Sequence, residues 1–368
     1  MEWVDVVRRW VPRPVRYAVQ RVVSLSDVKR RYFARRDPLS GVMESDENAY
    51  GSPTRIGIVR NSAQYHTKFV RACLELGVPF RVIDVTAGDW VEAVRRSGCE
   101  LFFVWPDVTA TPLAKLVKDR CDLMEQHMGL ALAPTSAERW MYEDKVRLYD
   151  WLRVHDIPHP RTWIFTDRRA ADAFIERCAL PIVFKTSFGA AASGVRIVAT
   201  RRGLRRIVAR AFGAGHVPSG HDRRDRQWGS LILQELVDVK KEWRLVRIGD
   251  AYFGHPKGRG GAFHSGSGKV EWDVPEARHL DLLRSVTDLG GFRSMDVDVF
   301  ELEGGRLLVN ELQTVFGAST SVDQLRVSGV AGRMVRDAAE WRFEPGDFAR
   351  NACANARVID ALARLPQG

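Results

Sequence analysis

Residues 180–199, LPIVFKTSFGAAASGVRIVA, constrain this chain more than any other stretch. An apolar, β-branched run, Ile182-Val183-Phe184, ends on Lys185; small residues follow, among them Ser187, Gly189, Ser193 and Gly194, and a second apolar run fills 195–198. The pattern predicts a strand, a small-residue loop and a second strand. A loop with so few side chains lets backbone N–H groups close around an anion, while Lys185 adds a cation from the strand behind it. A polyphosphate suits such a cradle if other segments supply a base pocket and a metal site.

At 368 residues, 45% of them hydrophobic, the chain can bury a full core and divide into two or three units. Its formal charge of +10 is unevenly spread, since residues 1–36 hold ten Lys/Arg against three Asp/Glu. In that arm Trp3, Val4, Val7, Trp10 and Val11 recur at helical spacing. A short basic amphipathic helix is expected there, able to rest on an anionic membrane surface or to pack on the protein itself. The five cysteines are scattered and form no CxxC pair, which argues against a zinc site or disulfide scaffold and for a reducing cytoplasm. No apolar run approaches the roughly 20 residues of a membrane span. Nucleic acid is not an expected partner, because the arginine-bearing loop at 213–229 has few aromatic residues to stack on bases.

Along the chain, strands expected at 55–59, 80–85 and 101–104 alternate with helices at 63–76 and 90–96, the signature of a small parallel sheet. The segments Arg60-Asn61-Ser62 and Trp105-Pro106-Asp107 follow the first and third strands, where ligands of such sheets gather. Helices are expected at 112–129 and from Ser136, the latter containing Asp144-Lys145. His155 and His159 match a metal pair only in spacing, because Pro158 denies them a common helical face. A strand at 231–237 carries Gln234-Glu235, a hairpin spans 242–254, and Lys257, Arg259 and the small residues 260–268 form a cationic loop. Ser267-Gly268-Lys269 fails as a Walker motif, since Phe263 and Val270 stand where glycine and Ser/Thr are required. A second hairpin, 296–300 with 306–312, places Asp298 and Glu311 on paired strands, and two helices are expected over 322–365. Carboxylates rising among apolar residues are costly unless a cation lies between them. Oxygen donors point to magnesium, and Gln313, on the same face as Glu311, adds a carbonyl oxygen.

The order of these parts resembles the ATP-grasp superfamily of carboxylate-amine ligases, with the D-alanine D-alanine ligase and ribosomal-protein glutamate ligase groups as the nearest patterns, over roughly residues 55–319. The resemblance implies an α/β and α+β chain with an N-terminal parallel α/β domain and a nucleotide site between two antiparallel sheets. Its units would be a basic arm and linker (1–53), the N-terminal α/β domain (54–135), a small subdomain with the glycine-rich lid (136–230), a large subdomain with the metal site (231–320) and C-terminal helices (321–368). Carried over by position, Lys145 and Lys185 meet the phosphates of ATP, and Gly189, Ser193 and Gly194 belong to the lid. Gln234, Glu235 and Leu236 border the adenine, and Glu242 holds the ribose. Arg244, Lys257 and Arg259 face the transferring group, and Asp298, Glu311 and Gln313 hold Mg2+, with Asp296 the competing choice for the first of them. The family usually ends this motif ExN, whereas the chain has Glu311-Leu-Gln313. The implied reaction joins a carboxylate to an amine through an acyl phosphate, with small-molecule, peptide or saccharide substrates. An ATP-grasp kinase and a non-catalytic nucleotide-binding protein are the alternatives. The implied location is the cytoplasm, with contact at the inner membrane face if the arm binds lipid.

Overall fold

The computed structural model describes residues 25–189, 192–219, 221–258, 269–316, 320, 322–338 and 340–365. The first part of the basic arm and Arg259 with the 260–268 loop lie outside the described residues.

After a helix α1 (Leu25–Arg36), the parallel sheet expected from the sequence is present. Strands β2 (Ile56–Val59), β3 (Phe80–Ile83), β4 (Leu101–Val104) and β5 (Ala131–Ala133) lie side by side in the order β3-β2-β4-β5, and β1 (Glu44–Ser45) runs antiparallel on the β3 edge. β2 and β4 are buried along their whole length, which is why they read as unbroken apolar runs. Helix α2 (Thr67–Leu76) packs on one face with Phe69, Val70 and Cys73, whereas α3 (Trp90–Ser97) and α4 (Thr111–His127) cover the other with Val94, Val117 and Cys121. Gly57 permits this packing: a Cβ there would stand 2.2 Å from the Phe102 ring.

The single helix expected from Ser136 is two. Thr135 and Glu138 form a capping box on α5 (Ser136–Met141), and Asp144 caps α6 (Lys145–Val154) by accepting from the N–H groups of Val146 and Arg147. Glu143, at φ 52°, makes the break between them. Asp144 therefore shapes the backbone that presents Lys145, beyond its surface ion pair with Arg147.

A four-stranded antiparallel sheet follows, in the order β6-β9-β7-β8: β6 (Thr162–Phe165), β7 (Ile182–Lys185), β8 (Val195–Val198) and β9 (Leu231–Glu235). Its outer face packs Ile182, Phe184 and Leu233 against α7 (Arg168–Arg177) and α8 (Arg201–Ala211). By alternation Val183, Lys185, Ile197 and Gln234 occupy the opposite face.

Residues 236–238 lead straight into the large antiparallel sheet, in the order β13-β12-β10-β11-β15-β14. It comprises β10 (Val239–Ile248), β11 (Ala251–Pro256), β12 (Ser294–Leu302), β13 (Leu307–Gln313), β14 (Arg326–Val327) and β15 (Val330–Asp337), with β16 (Glu340–Pro345) paired to β15. Leu280, Leu283 and Val286 of α9 (Ala277–Gly290) join Trp243, Leu245, Val297 and Val299 in its core. The two C-terminal helices expected over 322–365 are corrected to three strands and one helix, α10 (Arg350–Ala363). Ser328 and Gly329, both at positive φ, form the two-residue turn of a β14–β15 hairpin, and β15 buries alternate residues Gly332 and Met334. α10 returns to the first sheet, where Ala354 and Val358 pack beside Phe69.

Candidate active site

Strands β10, β12 and β13 alternate between the core and the opposite face of the sheet. In β12, Met295, Val297 and Val299 enter the core, leaving Asp296, Asp298 and Phe300 on the other face; Arg244 lies directly across from Asp298 on β10. Asp298 also pairs with Glu311 on β13, and Asp296 with Gln313, so the four side chains share one patch of sheet. A bulge at Asn310 makes this register possible: Val299 pairs with Val309 and Asp298 with Glu311, so the extra residue turns β13 over between its core and cleft positions.

The loop side of the small sheet reaches this patch. Lys185 Nζ donates to the Tyr149 hydroxyl (2.6 Å) and to Asn310 Oδ1 (2.9 Å). Lys145, the first residue of α6, donates to the Gly189 carbonyl (3.2 Å) and pairs with Glu311 (3.1 Å). Both lysines are buried. Glu143 accepts from the Gly189 N–H and from Gln313 Nε2, each at 3.3 Å. A Cβ at Gly194 would fall 1.7 Å from Thr186 Oγ1, so only glycine lets the loop close onto β7, where the Thr186 N–H donates to the Gly194 carbonyl (3.0 Å). The Ser193 carbonyl accepts from the Ser219 N–H (2.9 Å), tying the loop to the 213–229 segment.

On the large sheet, Lys257 donates to Glu242 (3.0 Å) and to Asp298, and Arg244 Nε lies 3.0 Å from Asp296 and 3.6 Å from Asp298. Burial pushes Asp296 up to about 8, with Arg244 opposing and Asp298 adding to the rise. Glu311 goes the other way: burial would raise it, but Lys145 and then Lys257 bring it down to about 2. Glu143 is raised by burial and by Glu311, against Lys145. Burial lowers Lys145, but Glu311 and Glu143 more than compensate and hold it above its ordinary range. His255, paired with Arg244 across β10 and β11, is pushed down to about 4 by burial; its Nδ1 faces the Gln324 carbonyl at 3.0 Å.

Oδ1 of Asp296 and Oδ1 of Asp298 are buried and receive no hydrogen bond from the described residues. Among the described residues no three His, Cys, Asp or Glu side chains converge on a ready-made metal position. Lys145, Lys257 and Arg244 stand among the carboxylates instead. The donor set of orphaned carboxylate oxygens and an amide carbonyl still fits a hard cation whose remaining ligands come from phosphate oxygens and water.

The residues expected to border the adenine form a separate group where β9 leads into β10. Glu235 accepts from the Arg161 backbone N–H (2.8 Å) and Nε (3.0 Å), Gln234 is buried and donates to Thr162 Oγ1 (2.9 Å), and Leu236 is exposed. None of these bonds reaches the lysine–carboxylate cluster. Sequence reasoning missed Glu143, Tyr149, Asn310 and His255. Tyr149 alone carried a signal, lying four residues after Lys145 on the same helical face.

No family model matches the chain, and no curated relative matches it. Solved structures do. The RimK-domain ATP-grasp protein of Sphaerobacter thermophilus aligns at 16% identity and a TM-score of 0.50, over 70% of this chain and 90% of its own. The biotin carboxylase domain of 2-oxoglutarate carboxylase from Hydrogenobacter thermophilus, solved with MgADP, ADP and bicarbonate, aligns at 14% identity and a TM-score of 0.54, over 76% and 66%. An N5-carboxyaminoimidazole ribonucleotide synthetase in complex with ADP aligns at 13% identity and a TM-score of 0.54, over 73% and 72%. The chain has the ATP-grasp fold, and the mixed architecture expected from its sequence is the one observed.

Proposed function

We propose that this protein is an ATP-dependent ligase that joins a carboxylate to an amine through an acyl phosphate. One observation carries the reading: two buried lysines from the glycine-loop side, Lys145 and Lys185, reach the strand that bears Glu311, directly across from Asp298. ATP would enter between the sheets, its base near Gln234, Glu235 and Leu236, its ribose at Glu242 and its phosphates at Lys145, Lys185 and the loop of Gly189, Ser193 and Gly194. Asp298, Glu311 and Gln313 would hold Mg2+, which when bound neutralises charge on the transferring phosphoryl group. Arg244 and Lys257, with Arg259 from the cationic loop, would stabilise the same charge from the chain itself. The substrate carboxylate attacks the γ-phosphorus and ADP leaves; the amine then attacks the acyl carbon and phosphate departs. Water exclusion by the closed loop protects the acyl phosphate between these steps. Positioning and charge neutralisation account for the rate, because the protein contributes no covalent step of its own.

ADP release measured across pools of carboxylates and amines tests the proposal. Glu311→Ala should lower it by about a hundredfold or more while leaving the circular dichroism spectrum unchanged; full activity in that variant would remove the site. ADP release that needs no amine and yields a stable phosphorylated product would favour the kinase reading. Flotation with anionic vesicles, before and after removal of residues 1–36, tests whether the basic arm also holds the protein at a membrane surface.

A further inference from the structure

The magnesium reading leaves one residue to account for, Gln313, which stands where the resembling family carries a shorter asparagine. Its Nε2 lies 3.3 Å from Glu143 Oε1. An amide has a donor end and an acceptor end, whereas an ionised carboxylate only accepts, and in this contact Nε2 faces Glu143 and Oε1 is turned away from it. Gln313 lies across from Asp296 and two residues beyond Glu311, on the carboxylate face of the sheet.

Glu143 is unusual in its own right. It has φ 52°, a left-handed conformation uncommon for a side-chain-bearing residue, and immediately precedes the Asp144 cap. Its second carboxylate oxygen accepts the Gly189 N–H at 3.3 Å. Two residues on, Lys145 donates to the carbonyl of the same Gly189 and pairs with Glu311, two residues before Gln313 on β13. The pair thus straddles the cap and joins the first glycine of the loop to the strand of the metal ligands.

We propose that Glu143 is a positioning residue that holds the Gln313 amide with its carbonyl oxygen toward a divalent cation at Asp298 and Glu311, and that sets the start of the glycine loop in the same act. The proposal rests on the magnesium reading above and assigns how a glutamine serves there: the longer side chain is pinned by the carboxylate of the residue before the α6 cap.

Mn2+ binding in the presence of ADP, followed by the loss of the free-ion EPR signal, tests this without turnover. Glu143→Ala and Gln313→Ala should each weaken Mn2+ binding by about tenfold or more, and the double variant should bind no worse than either single one, because both remove the same ligand. Glu143→Gln keeps an accepting oxygen and should retain most of the affinity. Unchanged Mn2+ affinity in Glu143→Ala, or losses that multiply in the double variant, would overturn the positioning role. A separate outcome tells the two readings apart: if the unaltered protein takes up no Mn2+ with ADP, or Asp298→Asn binds it as well as the unaltered protein does, the magnesium site itself is gone and the role of Glu143 goes with it.

Discussion

His66 is sealed into the first sheet's loop region with no exposed surface; its Nδ1 accepts the Asn61 N–H at 3.3 Å and its Nε2 has no hydrogen-bond partner among the described residues. Burial, helped by Arg60 and opposed by Asp37, pushes its pKa down to about 4 from an ordinary 6.5. The unfolded chain therefore binds the proton first as pH falls. The folded state loses stability from the unfolded pKa near 6.5 downward, by about 3 kcal/mol in full once the pH is below 4, and the contribution is complete above 6.5. Urea denaturation at stepped pH should show this slope, and His66→Gln should flatten it; an unchanged slope in the variant would assign the dependence to other groups. Asp296 sits at the other extreme of the same principle: burial raises it to about 8, against Arg244, whose Nε lies 3.0 Å away.

At the scale of elements, α6 matters for what it presents. Asp144 accepts two backbone N–H bonds at its start, at 3.0 and 3.1 Å, and Lys145 follows at once. Asp144→Ala should cost about 1 kcal/mol of stability and weaken nucleotide binding as Lys145 loosens; a variant with lower melting temperature and unchanged ATP affinity would show that Lys145 is held from its other side alone. Most strands and helices up to residue 312 were legible because their periodicities are undisturbed, as in α2, which ends on Gly77, whereas the short strands β1, β5 and β6 and the break between α5 and α6 were not. Pairing of Asp298 with Glu311 was legible too, from spacing around the Glu303-Gly304-Gly305 turn. The bulge at Asn310 was not, since nothing local in LLVNELQ distinguishes an extra residue from a regular one. Nor was the β14–β15–β16 extension: its arginines and glutamates suit exposed strand positions and helix surfaces equally, and only pairing with β11 decides between them.

For the whole molecule, the two antiparallel sheets are joined in sequence by residues 236–238 and in space by the bond from Lys185 on β7 to Asn310 on β13. At the start of α6, Lys145 and Glu143 contact Glu311 and Gln313 of β13 and also Gly189 of the glycine loop. Each of these side chains is a cation, carboxylate or amide that the proposed nucleotide and its metal would engage. A ligand that binds only the folded chain stabilises it by mass action, about 2.7 kcal/mol at a hundredfold excess over its dissociation constant. At the unfolding entropy expected for 368 residues, that is a rise in melting temperature of about 3 °C. Lys185→Met removes the bond to Asn310 and, in the proposed complex, a phosphate contact. Its melting temperature should fall without ligand, and the rise on adding ATP with Mg2+ should vanish. If the full increment survives in this variant, the phosphates bind elsewhere, and the lysine on β7 serves only to join the two sheets.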